Sequence, residues 1–319
     1  MEFRVLKYFL ALAQEENISA AAERLHVTQP TLSRQLKNLE EELGKTLFIR
    51  GSRKITLTEE GMMLRKRAEE ITELVQKTEN EIALSDETVV GDIFIGAGET
   101  DAMRFIAQVM KKVQMQYPDI HYHIVSGNTA DLTDRFENGL LDFCFLFTDI
   151  NELKYDSLKI PISDTWGVLM RKDSELADKE HITPEDLWDK PLIMSQQYDK
   201  DTPTSVWLKK DVSSLNVVAT YNLVYNASHM AAEGLGYVLC LEKLINVTGS
   251  SKLRFVPLNP EVKSYMSIAW KKYRVLTKAA KKFIEALQAE FENRGLRKKL
   301  CKQYLTKLDK AKITGISLI

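Results

Sequence analysis

Cysteine is scarce in this chain. Cys144, Cys240 and Cys301 lie far apart, with no paired spacing for a zinc site or a disulfide framework. No apolar run approaches the ~20 residues of a membrane-spanning helix, and no secretory leader opens the chain, so a cytoplasmic protein is expected. A dominant charge is missing too. The net charge is −1, so the protein is not globally basic, and any affinity for nucleic acid must come from where the charges are placed. There is no nucleophile elbow, phosphate loop or zinc-protease spacing, and no catalytic residue, metal or cofactor is assigned. His121 and His123 share one strand face, as two metal ligands would. No third ligand is near in sequence, and an exposed sheet edge explains them as well. At 319 residues the chain is long enough for about two domains, each able to bury a core.

What the chain does have is concentrated between Asn17 and Gly61. A short helix from Ser19 to Leu25 offers Ala20, Ala21 and Ala22 for close helix–helix approach, and His26, Val27 and Thr28 form a tight turn. Thr28 suits an N-cap, its hydroxyl satisfying a free amide, and Pro30 falls in the first helical turn, where a missing N–H costs nothing. The second helix runs to about Leu43 with a stripe of Leu32, Leu36, Leu39 and Leu43 toward the core. Its other face carries Gln29, Thr31, Ser33, Arg34 and Lys37, donors and cations suited to base edges and phosphates in the major groove. Glu40, Glu41 and Glu42 sit at the end expected to point away from DNA. With Ser19, Thr28 and Pro30, the polar set forms the candidate DNA-binding surface.

After Gly44 the period changes. Leu47 to Arg50 and Lys54 to Leu57 read as two short strands joined by Gly51, Ser52 and Arg53, a β-hairpin wing whose Arg50, Arg53 and Lys54 suit phosphates or the minor groove. Residues 1–57 hold nine Lys and Arg against seven Asp and Glu, so the excess is small and its placement carries the argument. An ordinary helical bundle with a basic hairpin is the competing reading, but cap, turn, stripe, polar face and wing occur in order.

Residues 1–61 resemble the DNA-binding domain of LysR-type transcriptional regulators. The resemblance is carried by Leu6 to Ala13, Ser19 to Ala22, Gln29 to Gln35, Leu39-Glu40, Leu43-Gly44, Leu47-Phe48, Arg50, Arg53 and Leu57 to Gly61. It implies a dimeric or tetrameric regulator, binding double-stranded operator DNA and contacting RNA polymerase, that senses a small-molecule effector through a C-terminal periplasmic-binding-protein-like domain. The expected fold class is α/β, with an N-terminal all-α winged helix-turn-helix (1–58), a long linker helix (59–88) and a two-lobed α/β effector-binding domain (89–293).

The linker reading has its own support. From Glu59 to about Asp86 no proline intervenes, and Leu64, Ala68, Ile71, Val75, Thr78 and Ile82 repeat at 4-3-4-3-4 spacing, an a/d seam that predicts either pairing with a second copy or packing on its own domain. A homodimer would place two recognition helices about one DNA turn or a multiple apart. From Val89, strands at 92–96, 122–125 and 141–147 alternate with helices at 102–117 and 131–138, predicting a parallel sheet covered on both faces. A second set follows a crossing region at 160–170: strands at 191–195, 216–221 and 237–240, and a helix at 223–233. The chain returns through 265–270 and a helix at 277–293. The first lobe is expected over about 89–161 and 268–293, the second over about 162–267.

Ligands bind open sheets at the C-terminal ends of strands, beside helix N-termini. There the sequence places Thr100, Thr129 and Thr148, with Ser195, Gln196, Gln197, Tyr198 and Thr202 in the second lobe. Hydroxyls after the first two strands resemble effector contacts in the family, which singles out Thr100 and Thr129, although either also serves as a local N-cap. Glu99 and Asp101 would disfavour a small dianion and favour an amine, an amino acid or a metal-bound ligand, unless they point outward and serve the helix dipole. Met230 and Tyr225 read as core. The basic extension 294–319, with leucines between its lysines, predicts an amphipathic helix packed on the protein, or else a second nucleic-acid contact. The expected function is a ligand-controlled, sequence-specific transcription factor. The rivals are an enzyme or solute-binding module fused to a DNA-targeting domain, or a constitutive architectural DNA-binding protein.

Overall fold

The computed structural model describes residues 1–51, 54–83, 88–147, 150–198 and 202–293; Arg53, Thr148, Cys301 and the whole extension 294–319 lie outside the described residues. The described chain forms two compact units.

The first unit contains α1 (Phe3–Glu15), α2 (Ile18–Arg24), α3 (Gln29–Leu43), the hairpin strands β1 (Phe48–Arg50) and β2 (Ile55–Leu57), and α4 (Glu59–Ala83). Its core gathers Phe9 and Leu12 from α1, Ala21 and Ala22 from α2, and Leu32, Leu36 and Leu39 from α3. The three leucines are 0, 0 and 1% exposed, so each contributes on the order of 2 kcal/mol of burial. Leu43, expected in that stripe, is 41% exposed. It lies in the last turn, where Gly44 closes the helix in the left-handed region at φ +63° and the chain turns away.

The start of α2 also differs from expectation. Its cap is Asn17, whose Oδ1 accepts from the backbone amides of Ser19 and Ala20 at 2.9 and 3.1 Å. Thr28 occupies the cap position of α3, but its hydroxyl pairs with the Thr31 hydroxyl at 2.8 Å and caps no amide. The hairpin joins α4 through Thr58, whose hydroxyl donates to the Thr46 carbonyl and accepts from the Gly61 amide. Gly61 has no alternative: a Cβ there would stand 2.0 Å from the Leu47 carbonyl oxygen.

The second unit contains β3 (Gly91–Ala97), α5 (Met103–Gln116), β4 (Ile120–Ser126), α6 (Thr129–Glu137), β5 (Phe143–Leu146), β6 (Tyr155–Arg171), β7 (Leu192–Ser195), α7 (Pro203–Leu208), β8 (Val217–Tyr221), α8 (Val224–Ala232), β9 (Tyr237–Leu241), β10 (Leu253–Pro257), β11 (Lys263–Lys271) and α9 (Lys278–Asn293). The strand order is β4-β3-β5-β11-β6-β9-β7-β8, with β10 also on β6.

β3 pairs in parallel with β4 and β5, as expected, but β11 and β6 enter antiparallel, so the sheet is mixed rather than wholly parallel. The region expected as a crossing is one 17-residue strand. Its residues 155–165 pair with β11 in the first lobe; from Trp166 onward it pairs with β9 and β10 in the second. The expected return at residue 268 falls inside β11, which already pairs with β6 from Lys263. Strand β10 and helix α7 had not been read from the sequence. The apolar core of the first lobe centres on Ile93, Ile95, Phe105, Phe143 and Phe283, and that of the second on Val168, Ile182, Leu192 and Leu239.

Candidate functional site

Two surfaces concentrate the expected chemistry, one in each unit. On α3 the buried leucines set the rotation of the helix and thereby expose Gln29, Pro30, Thr31, Arg34 and Lys37 together. Arg34 has no partner among the described residues, whereas Lys37 forms an exposed ion pair with Glu41 at 3.3 Å. Ser19, at the start of α2, reaches Gln29 at 3.4 Å, joining the two helices of the motif at the recognition end. Ser33 is half-buried and accepts from the Arg50 guanidinium of β1 at 3.1 Å, a link between recognition helix and wing that the sequence had not indicated. Glu40 has a role also missed: its Oε1 accepts from the Leu47 and Phe48 amides at 2.7 and 3.4 Å, fixing β1 to α3. On the wing, Lys54 pairs with Glu16 at 3.1 Å and stays largely exposed.

In the second unit, a cavity of about 440 Å³ lies at the strand ends between the lobes, within the size range of small-ligand sites. Thr129, Ser195 and Thr202 line it, as do Gln197 and Tyr198; Gln196 faces a different surface, beside Lys209 and Lys210. Thr202 is also the N-cap of α7, accepting from the Ser205 amide.

Thr100 is a correction. Its side chain is buried away from the cavity, and its hydroxyl donates to Asp164 Oδ2 at 2.6 Å while accepting from the Ala102 amide. The sequence offered no sign of this, because Asp164 lies on β6. Burial raises the Asp164 pKa, and the hydrogen bonds from Thr100 and the Asp101 amide offset part of that rise. Asp101 itself pairs with Arg104 at 2.6 Å, on the outer side of α5. Tyr225, expected in the core, is 63% exposed with its ring against His229.

Glu99 behaves differently from its neighbour. It lines the cavity, and its Oε2 accepts from the Val224 amide at 2.6 Å, so a first-lobe carboxylate caps α8 of the second lobe. The reciprocal bond is made by Gln197. Its Oε1, in the second lobe, accepts from the Thr129 amide and hydroxyl at 3.1 and 2.6 Å, capping α6 of the first lobe. Each lobe thus supplies an acceptor to a helix N-terminus in the other: the sole side-chain acceptor for α8 among the described residues, and for α6 an addition to Asn128, whose Oδ1 accepts from the Asp131 amide at 2.9 Å.

Most of the remaining wall is apolar or aromatic, including Phe147, Trp166, Tyr221 and Leu239. The Tyr221 hydroxyl donates to the Leu239 carbonyl, and burial pushes its pKa well up, so it remains neutral. His123 is engaged by Asp92 at 2.8 Å and stacks on Phe94. Among the described residues there is no cluster of three or more His, Cys, Asp or Glu arranged for a metal. Cys144 and Cys240 are buried, and burial pushes both thiols up to about 12. They are protonated at neutral pH.

A helix-turn-helix with a basic wing, followed by a two-lobed α/β unit enclosing a small-ligand cavity, defines the class of ligand-responsive DNA-binding regulators. Comparison with known proteins points the same way. The model of the bacterial regulatory helix-turn-helix protein, lysR family, matches residues 3–62, and that of the LysR substrate binding domain matches residues 86–292. The chain belongs to the LysR family of transcriptional regulators.

Among relatives, it is 38% identical to the HTH-type transcriptional regulator BsdA of Bacillus subtilis over 44% of this chain, a match that spans 49% of BsdA. It is 29% identical to the DNA-binding transcriptional dual regulator OxyR of Escherichia coli, over 61% of this chain and 63% of that protein. In fold it is similar to full-length CbnR, a structure solved with its target DNA, at a TM-score of 0.70 and 19% identity, covering 91% of this chain and 99% of that one. No helix among the described residues is long and apolar enough to cross a membrane.

Proposed function

We propose that this chain binds a specific operator through the N-terminal end of α3 and its wing, and that a small molecule held between the lobes controls the outcome. Gln29, Pro30, Thr31 and Arg34 read base edges in the major groove, and Ser19, Thr28, Ser33 and Lys37 flank them. Arg50 and Arg53 hold the backbone or the minor groove. The free, exposed state of Arg34 beside three fully engaged leucines supports a surface kept for an external partner. Thr129, Ser195 and Thr202 contact the effector, and Thr100 acts through Asp164 rather than by touching it. Thr148 completes the expected set after β5.

The observation that carries the regulatory half is the pair of caps made across the cavity by Glu99 and Gln197. A molecule entering between the lobes meets those bonds, and one that binds better to one setting of the lobes than to another shifts how they sit. It is bound and released without being turned over.

Two copies pair through α4. Ile71 and Ile82 of its seam are 37 and 79% exposed in the single chain, and Leu74 beside the seam is 38% exposed, apolar surface suited to a second helix. A homodimer or homotetramer then binds an interrupted inverted repeat in the cytoplasm and alters RNA polymerase recruitment.

Footprinting of the full chain on DNA upstream of its own gene, with and without a metabolite extract, tests the reading. A protected inverted repeat whose pattern changes with extract, and a ligand recovered chemically intact, are expected. Uniform or absent protection would overturn it, and recovery of a converted product would move the chain to an enzyme tethered to DNA.

A further inference from the structure

We propose that the cavity between the lobes accepts an apolar molecule bearing one protonated amine, and discriminates against carboxylates of the same shape. This rests on the reading of that cavity as the effector site.

The wall carries one charged side chain among its described residues, and it is the carboxylate of Glu99; lysine, arginine and histidine are absent from that lining. An anionic ligand would therefore meet a negative charge that no cation of the lining offsets, in a partly desolvated space. Its usual refuge would be the N-terminus of α8, a nine-residue helix whose cap residue Leu223 offers no side-chain hydrogen bond. That position is filled from within the chain. Glu99 Oε2 already accepts from the Val224 amide, so an incoming carboxylate must displace another carboxylate held by the same protein.

A cation finds the opposite situation. The second oxygen of Glu99 has no hydrogen-bond partner among the described residues, and an ammonium can reach it while the first stays on α8. Phe147, Trp166, Tyr198 and Tyr221 surround the space with ring surface, which attracts a cation and buries the apolar part of the molecule. Thr129 and Gln197 are occupied with each other, so they do not reward a carboxylate without breaking a cap.

The test uses the full-length chain and matched probes: 2-phenylethylammonium against 3-phenylpropanoate, and 4-phenylbutylammonium against 5-phenylpentanoate, titrated by calorimetry at neutral pH. The wild type should bind at least one ammonium about tenfold more tightly than its carboxylate partner. Glu99→Gln, whose amide oxygen can still accept from Val224, should lower ammonium affinity by about tenfold and erase the preference. Equal or tighter binding of the carboxylates, ammonium affinity indifferent to E99Q, or no ammonium binding up to about 10 mM would each overturn the proposal. Carboxylate binding that also shifts the operator footprint would leave the regulator reading intact while removing the ligand class. Loss of the footprint itself removes the regulator reading instead.

Discussion

The outer face of α3 and the wall of the inter-lobe cavity are both built from polar groups near helix N-termini, yet their side chains are in opposite states. On α3, Gln29, Thr31 and Arg34 stand exposed, and the internal bonds near them are few and lie at the surface. Around the cavity, Glu99, Gln197 and Thr129 are bonded across the gap before any ligand arrives. The difference follows from the partners. Duplex DNA is a rigid polyanion that brings its own complementary surface, so the reader need only hold its side chains out. A small molecule supplies too little surface to organise two lobes, and the lobes must be held in register by the chain itself.

The largest effect that would break this contrast concerns the platform beneath α3. Gly61→Ala forces a methyl group against the Leu47 carbonyl and should cost about 3 kcal/mol of winged-helix stability, with operator binding lost alongside. Denaturant unfolding followed by circular dichroism checks it; a change below about 1 kcal/mol would mean the hairpin shifts freely.

Next comes the open face itself. Arg34→Ala should weaken specific operator binding by about 1–3 kcal/mol while leaving the unfolding midpoint unchanged, because the side chain supports nothing internal among the described residues. Equal loss on random-sequence DNA would make Arg34 a phosphate contact.

The closed side gives a pH signature. Burial raises the folded pKa of Asp164, so the folded state holds a proton that the unfolded state has released. The resulting stability is present below the ordinary carboxylate range and is lost as pH rises through the folded value. Asp164→Asn should therefore gain stability relative to wild type as pH increases from below about 4, by no more than about 1.4 kcal/mol per pH unit, then level off. A pH-independent difference would mean that Asp164 is as well solvated as an exposed aspartate. The smallest effect is an absence. With Cys301 replaced by serine, iodoacetamide at pH 8 should leave Cys144 and Cys240 unmodified in the folded chain, since burial withholds both the thiolate and access to it. Modification at the rate of a free thiol would show the lobes opening widely.

The same contrast explains what could be read from the sequence. The recognition helix, its leucine stripe and the wing were legible because their partners are neighbours in the chain. The stripe failed only at Leu43, where the helix runs past the core. The βα order of the lobes was legible for the same reason. The cavity was not: Glu99 meets Val224 and Thr100 meets Asp164 across separations of 125 and 64 residues. Position at a strand end made Thr100 look available, and only the fold shows that a buried aspartate has taken its hydroxyl. Gln197 sat among the candidates, but its bond to Thr129 depends on two lobes meeting, which no local pattern encodes.

Glu40 looked like an acidic residue at the end of α3 that points away from DNA, yet it holds β1 through two amides while Ser33 holds Arg50. Recognition helix and wing consequently move as one piece. On the proposed reading, the span between the groove facing α3 and the strand facing the wing is fixed within each copy. If two copies pair as proposed, tolerance for operators of different spacer length would come from the separation between copies, not from bending inside the reading head.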